Sequence, residues 1–393
     1  MTTRGFSLVE VLVAIAVATL VLSAAVQVLD PARGALLAQE DSADQQQRLR
    51  VAVEAIAASL RGAGAGAAAG VSRGSLVQSL PAIVPARIGD LHPDASTGVR
   101  FRTDALSVLS IPVTAAQVTL RETVIPGATA FVVDQPPSCP APTATTVCGF
   151  GPGVRALVFD GSGAWDTVTV TAAAGDVLTF GAAGGLSSSY PAGSVIAEAS
   201  IRSWSVRTDA SGTSQLFQYD GFASDLPVVE NVIGLTFEYF GDPTPPRRLA
   251  ARPLDALVGP WTTYGPRPPL MDVNDDRDEW PAGENCLFRV DESQHVPRLA
   301  DLGGPTEFIA LDAAVLTDGP WCPSAASPHA FDADLLRVRR VRVRLRTQVA
   351  SDARRGGVGA FFARGGHSTR AEQWVPDEEV VFDVTPPNLR STR

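Results

Sequence analysis

Phe6 to Leu29 is a run of 24 residues, almost all apolar or small, that carries a single charge, Glu10. As a helix it would be about 36 Å long, enough to cross a hydrocarbon core of about 30 Å. The run therefore reads as a membrane anchor. A carboxylate inside such a run costs about 2.5 to 3.5 kcal/mol on insertion scales, so Glu10 asks for a specific role. The preceding Met1-Thr2-Thr3-Arg4-Gly5 is too short for an ordinary secretory leader, which is cut after its apolar stretch. A cut after Ala25 is the alternative, and it would discard Glu10 with the leader.

The residues Gly5-Phe6-Ser7-Leu8-Val9-Glu10, running on into Val11-Leu12-Val13-Ala14-Ile15-Ala16, resemble the type III leader of type IV pilins and type II secretion pseudopilins. The resemblance implies that prepilin peptidase cuts between Gly5 and Phe6, that the new Phe6 amine is methylated, and that Glu10 serves assembly. Electrostatics is consistent with this. An ammonium on Phe6 in apolar surroundings is neutralised by the Glu10 carboxylate of its own or a neighbouring subunit, where the attraction is poorly screened. The implied organisation is a leader at 1–5, a helix at 6–29 that spans the inner membrane, and an amphipathic continuation at 30–64. A head at 65–393 follows, periplasmic and then on the cell surface.

Asp30-Pro31 is a place for a kink, and beyond it Leu49, Val53, Ile56 and Leu60 form one apolar stripe that needs a sheet to cover it. The glycines of Arg61-Gly62-Ala63-Gly64-Ala65-Gly66 end the helix. They do not form a dinucleotide loop, which would follow a strand and open a helix. Short β-rich runs come next: Ala105–Ile111, Val154–Asp160, Thr167–Thr171, Val195–Arg207, Gln215–Tyr219, Val232–Phe240, Val338–Val349 and Glu379–Val384. Without strand and helix alternation the expected class is α+β, a long helix on a mostly antiparallel sheet. Stretches 127–153 and 241–334 read as insertions.

Val228 to Tyr239 resembles a segment of large PilW-type minor pilins and of the J-type pseudopilin, and the ending Phe382-Asp383-Val384-Thr385-Pro386-Pro387-Asn388-Leu389-Arg390 looks like a PilW-type terminus. The resemblance implies a non-catalytic subunit of pilus assembly whose partners are prepilin peptidase and other minor and major pilins. The competing readings are a J-type pseudopilin and a membrane-tethered surface adhesin.

Composition removes several other functions. A net charge of −10 argues against bulk nucleic-acid binding. Every basic residue is arginine, so Schiff-base lysine chemistry and a P-loop lysine are absent. Gly70-Val71-Ser72-Arg73-Gly74 matches a nucleophile elbow but lies in the glycine-rich helix exit, without the strand and helix that the elbow needs. No enzyme is expected. Arg340, Arg342, Arg344 and Arg346 alternate with Val341, Val343 and Leu345, which reads as a strand face paired with the surplus acids.

Cys139, Cys148, Cys286 and Cys322 are an even set outside the membrane run, as disulfides in an exported protein would be. Three pairings are possible, and the sequential one keeps each bridge inside one insertion. The four histidines lack zinc-site spacing. No cofactor is required by this reading, although Asp272, Asn274, Asp276 and Asp278 fall at positions 1, 3, 5 and 7 of a calcium loop. That loop is degraded: Arg277 stands where the turn needs Gly, and Gly283 stands at the twelfth place.

Overall fold

The structure is a computed structural model. It describes residues 7–67, 75–76, 80–88, 101–113, 116–137, 139–140, 143–160, 165–181, 186, 189–244, 252–253, 288–303, 307–317 and 333–390. Helix α1 (Leu8–Gly62) has 55 residues and a length of roughly 80 Å. It runs through Pro31 as one element, so the expected kink does not divide it. Proline removes one helical hydrogen bond, and the alanines, leucines and glutamines on both sides are strong helix formers. Gly64 ends it with a φ of +75°, and a Cβ there would collide with Leu389. Only glycine meets both conditions.

The chain divides into two compact units, 1–51 with 346–379, and 52–345 with 380–393. In the first, the returning segment 346–379 forms a collar on the helix. Its contacts are at Asp30, Gly34, Asp41 and Gln45, which are spaced i, i+4, i+11 and i+15 and so share one helix face. Gln45 is 1% exposed, and its side-chain amide donates to the carbonyls of Thr347 and Pro376, both at 3.1 Å. Arg354 reaches the Asp41 carboxylate at 3.3 Å and donates to the Gly34 carbonyl at 3.4 Å. Gly34 is buried, and a Cβ on it would strike the Gln373 side chain. Arg370 pairs with Asp30 at 3.1 Å. The collar is also fastened to itself: Arg355 donates to the carbonyls of Val349 and Ala350, and Phe362 meets Trp374 edge-on at 5.8 Å.

The second unit begins with the last turns of α1, where Ala52, Ile56, Leu60 and Ala63 are buried. Of the expected stripe, Ile56 and Leu60 are inside, while Leu49 and Val53 are half-buried. Ala52 and Ala63, which a stripe of bulky residues misses, are buried with Ile56 and Leu60.

The strands in chain order are β1 (Ile83–Val84), β2 (Ala105–Ser110), β3 (Gln117–Leu120), β4 (Ala130–Asp134), β5 (Arg155–Phe159) and β6 (Trp165–Ala174). Next come β7 (Val177–Phe180), β8 (Val195–Glu198), β9 (Ser200–Thr208), β10 (Ser214–Tyr219), β11 (Asp225–Glu230) and β12 (Val232–Gly241). The last are β13 (Arg252–Pro253), β14 (Phe288–Asp291), β15 (Gln294–Pro297), β16 (Ile309–Leu311), β17 (Val338–Thr347) and β18 (Glu378–Val384). They form a five-stranded sheet β1-β2-β9-β10-β11, a four-stranded sheet β16-β12-β17-β18, a three-stranded sheet β13-β15-β14 and a closed barrel β3-β4-β7-β6-β5-β8. The α+β class stands.

The barrel lies in sequence between β2 and β9 and takes in much of 127–153. Its core holds Val118, Phe131, Val133, Phe150, Val158 and Tyr190, with Phe131 stacked on Phe180 at 4.2 Å. A register shift between Val170 and Ala172 marks a bulge on β6, a device that bends a strand around a barrel. The expected single run Val195–Arg207 divides here: β8 pairs with β3 and β5, and β9 pairs with β2 and β10. Strands β5 and β8 are buried on both faces. Ala156, Val158 and Ile196 enter the barrel core, whereas Leu157, Phe159, Val195 and Ala197 join Leu109, Ile111 and Ile201 in a second cluster.

In β17, Val341, Val343 and Leu345 are fully buried, and Arg340, Arg342 and Arg346 of the alternating arginines pair with acids. Arg342 grips Asp383 through two bonds, of 2.8 and 3.2 Å. That hydrogen bonding holds the Asp383 carboxyl below its ordinary value. Arg340 lies over the Phe240 ring at 4.3 Å, and Arg346 pairs with Asp377 at 2.8 Å. Arg339, by contrast, is buried, and desolvation pushes its guanidinium down to about 10.

The collar contacts make a prediction. Gln45→Ala leaves two carbonyls without a donor, at about 1 to 3 kcal/mol, and Gly34→Leu forces Gln373 aside. In full-length protein in micelles, either change should speed amide exchange across 346–379 and leave the barrel strands unchanged. Unaltered exchange in the collar would show that these contacts do not hold it.

Candidate functional site

Among the described residues, nothing covers the first half of α1. Leu8, Val9, Leu12, Leu20 and Val28 are each more than half exposed, and Glu10 is the sole charge from residue 8 to residue 29. An exposed apolar helix of 22 residues, about 33 Å, is costly in water and suited to lipid or to other apolar helices. By length and composition it can span a membrane.

The helix opens on a reciprocal cap. The Ser7 backbone N–H and hydroxyl donate to Glu10 Oε2 at 2.9 and 3.1 Å, and the Glu10 N–H donates to Ser7 Oγ at 3.3 Å. This capping box satisfies backbone donors that a helix start otherwise leaves unpaired. The Ser-x-x-Glu spacing was readable in Ser7-Leu8-Val9-Glu10, although the sequence reading assigned Glu10 to assembly alone. In the single chain, the carboxylate stands at the first helical turn, bonded to Ser7. Gly5 and Phe6 themselves lie outside the described residues.

Cys139 and Cys148 are bonded, with Cα atoms 4.8 Å apart, as the sequential pairing requires. The bridge fastens a loop at the barrel, where Cys148 takes a φ of +49° and Val147 and Phe150 exchange backbone hydrogen bonds at 2.9 and 2.8 Å. Cys286 and Cys322 lie outside the described residues, as do Ser72 and the acidic run with Asp272, Asn274, Asp276 and Asp278. Among the described residues, no three His, Cys, Asp or Glu side chains are grouped to hold a metal.

Sequence reasoning missed the collar residues Gly34, Gln45 and Arg354. The one available signal was a glycine and a glutamine on the same helix face, which becomes meaningful only once a partner segment is known.

Residues 1–26 match the family model described as the prokaryotic N-terminal methylation motif. Neither a curated protein nor a solved structure matches the chain. The motif supports a type IV pilin-like or pseudopilin-like protein, structural rather than enzymatic. A prepilin leader implies processing by prepilin peptidase and assembly with other pilins. Together with the exposed apolar helix, it fits a membrane-anchored subunit that assembles into a pilus.

Proposed function

We propose that the chain is a PilW-type minor pilin that prepilin peptidase cleaves after Gly5 and methylates on Phe6, and that it acts in pilus assembly or initiation. The observation that carries this reading is the methylation motif joined to an apolar helix that is exposed among the described residues and has one internal acid, Glu10. A hydrophobic helix reaches an assembled filament only by leaving lipid for the apolar flanks of its neighbours. A lone carboxylate near its start is then a register mark: it is satisfied where a neighbour's Phe6 ammonium lies opposite it and penalised elsewhere. In the free subunit the Ser7 cap gives that carboxylate an interim partner. Under this reading the head lies in the periplasm and then on the pilus, and the resemblance of the C-terminal segment to a PilW-type terminus supports a minor pilin over a J-type pseudopilin.

Mass spectrometry of the mature N-terminus tests the processing step. Methylated Phe6 is the expected start, and a start after Ala25 would end the assignment. Gly5→Leu should leave the chain uncleaved in the membrane. Glu10→Ala should be processed normally yet be depleted from sheared pili, and normal recovery of that variant would remove the amine-pairing role.

We also propose that calcium orders the acidic run through Asp272, Asn274, Asp276 and Asp278, the motivation being their alternate spacing. Calorimetric titration of the full chain in micelles should show heat and a raised melting temperature at millimolar calcium. Absence of both would leave the run as surface charge.

A further inference from the structure

A helix from Leu8 to Leu29 is about 33 Å long, against a hydrocarbon core of about 30 Å and a bilayer of about 40 to 45 Å with its headgroups. Each headgroup layer is therefore about 5 to 7 Å thick, and residues 30 to 34, which rise about 1.5 to 7.5 Å past Leu29, occupy it. Asp30 and Arg33 lie in that span of α1, and both are exposed. The collar reaches the same level. Arg370 Nη1 donates to Asp30 Oδ2 at 3.1 Å, between side chains that are 57% and 60% exposed. Next to it, Gln373 lies against Gly34, and Arg354 donates to the Gly34 carbonyl at 3.4 Å. The depth of Arg370 is thus fixed by the helix and not by a loop tip.

Charge says what meets it there. From Ala353 to Ala371 the collar carries Arg354, Arg355, Arg364 and Arg370 and no Asp or Glu, in a chain whose net charge is −10. Arg354 and Arg355 are turned inward, the first to Asp41 and the second to Asp352 and the Val349 carbonyl. Arg370 points outward. An exposed ion pair such as that of Arg370 with Asp30 contributes little, and it engages one nitrogen of a group that carries five N–H donors in a planar fork. Arg33 is one helical turn from Asp30, so two exposed guanidinium groups stand at the depth of lipid phosphates. Phosphate oxygens suit that fork, which they meet through paired, charge-assisted hydrogen bonds.

We propose that Arg33 and Arg370 bind the headgroup phosphates of anionic phospholipids in the leaflet that Leu29 reaches, so that the collar rests on the membrane surface. This rests on the membrane-anchored reading above and adds to it a lipid-selective contact outside the apolar helix. The test places the full-length protein in nanodiscs of equal parts phosphatidylcholine and phosphatidylglycerol and counts, by native mass spectrometry, the lipids retained on release. Phosphatidylglycerol should be retained over phosphatidylcholine by about fivefold for each arginine. Arg33→Gln and Arg370→Gln should each remove about that factor, and Arg50→Gln, about 31 Å past Leu29, should remove none. Because Arg370→Gln also breaks the pair with Asp30, Arg33→Gln is the variant that separates lipid contact from collar packing. Amide exchange across 366–373 should be slower in the mixed discs than in phosphatidylcholine discs, and strong salt should abolish the difference. Equal retention of the two lipids, or a preference that survives both substitutions, would overturn the inference and leave the anchor standing. Equal slowing by inorganic phosphate in phosphatidylcholine discs would make this a soluble-anion site and overturn the lipid assignment. A chain that enters neither kind of disc would overturn the anchor as well.

Discussion

The structure depends on one helix that must satisfy two solvents. Among the described residues nothing covers its apolar side chains from Leu8 to Leu29, whereas Gly34 and Gln45 are buried within the first unit and Ala52, Ile56, Leu60 and Ala63 within the second. The change occurs within one unbroken element, so the boundary is set by what packs on the helix rather than by the backbone. The collar begins its contacts at Asp30, one residue past the apolar run, and continues through Gly34 and Asp41 to Gln45. A buried glutamine amide is stable only with partners, and the carbonyls of Thr347 and Pro376 supply them at the end of β17 and just before β18. The same two hydrogen bonds tie both ends of the collar to one helical turn.

Within the second unit, the six-stranded barrel is built as a closed sheet, which leaves no unpaired edge. Two of its strands also face outward into a second apolar cluster, so β5 and β8 serve as walls common to two cores. The Tyr190 hydroxyl shows how the barrel accommodates polarity: it donates to buried Asp166 at 2.6 Å. The four-stranded sheet handles charge differently, by placing arginines of β17 on the face opposite the core, where Asp383 and Asp377 neutralise them.

Several elements were legible because local pattern and tertiary environment agree. The alternation in β17 predicted both its buried valines and its paired arginines, and the glycine run after Arg61 predicted the helix end. Strands β3, β4, β7 and β11 were not foreseen. The first three are four or five residues long, and β11 contains Pro227, which a strand reading demotes, yet Pro227 sits at a register shift on an edge strand where no donor is needed. The division between β8 and β9 was also invisible: Val195 to Arg207 is one β-rich run, and only barrel closure sends its first four residues to a different sheet.

By itself the sequence determined the apolar helix, its lone acid and the cut site that the leader implies, because membrane insertion and leader recognition are read from contiguous residues. Tertiary structure decided the rest. The barrel, the strands buried on both faces and the collar on the helix all join residues distant in sequence, such as Gln45 with Thr347. No local period encodes which carbonyl a glutamine will find some three hundred residues away; packing selects it when burial leaves that amide no water to bond.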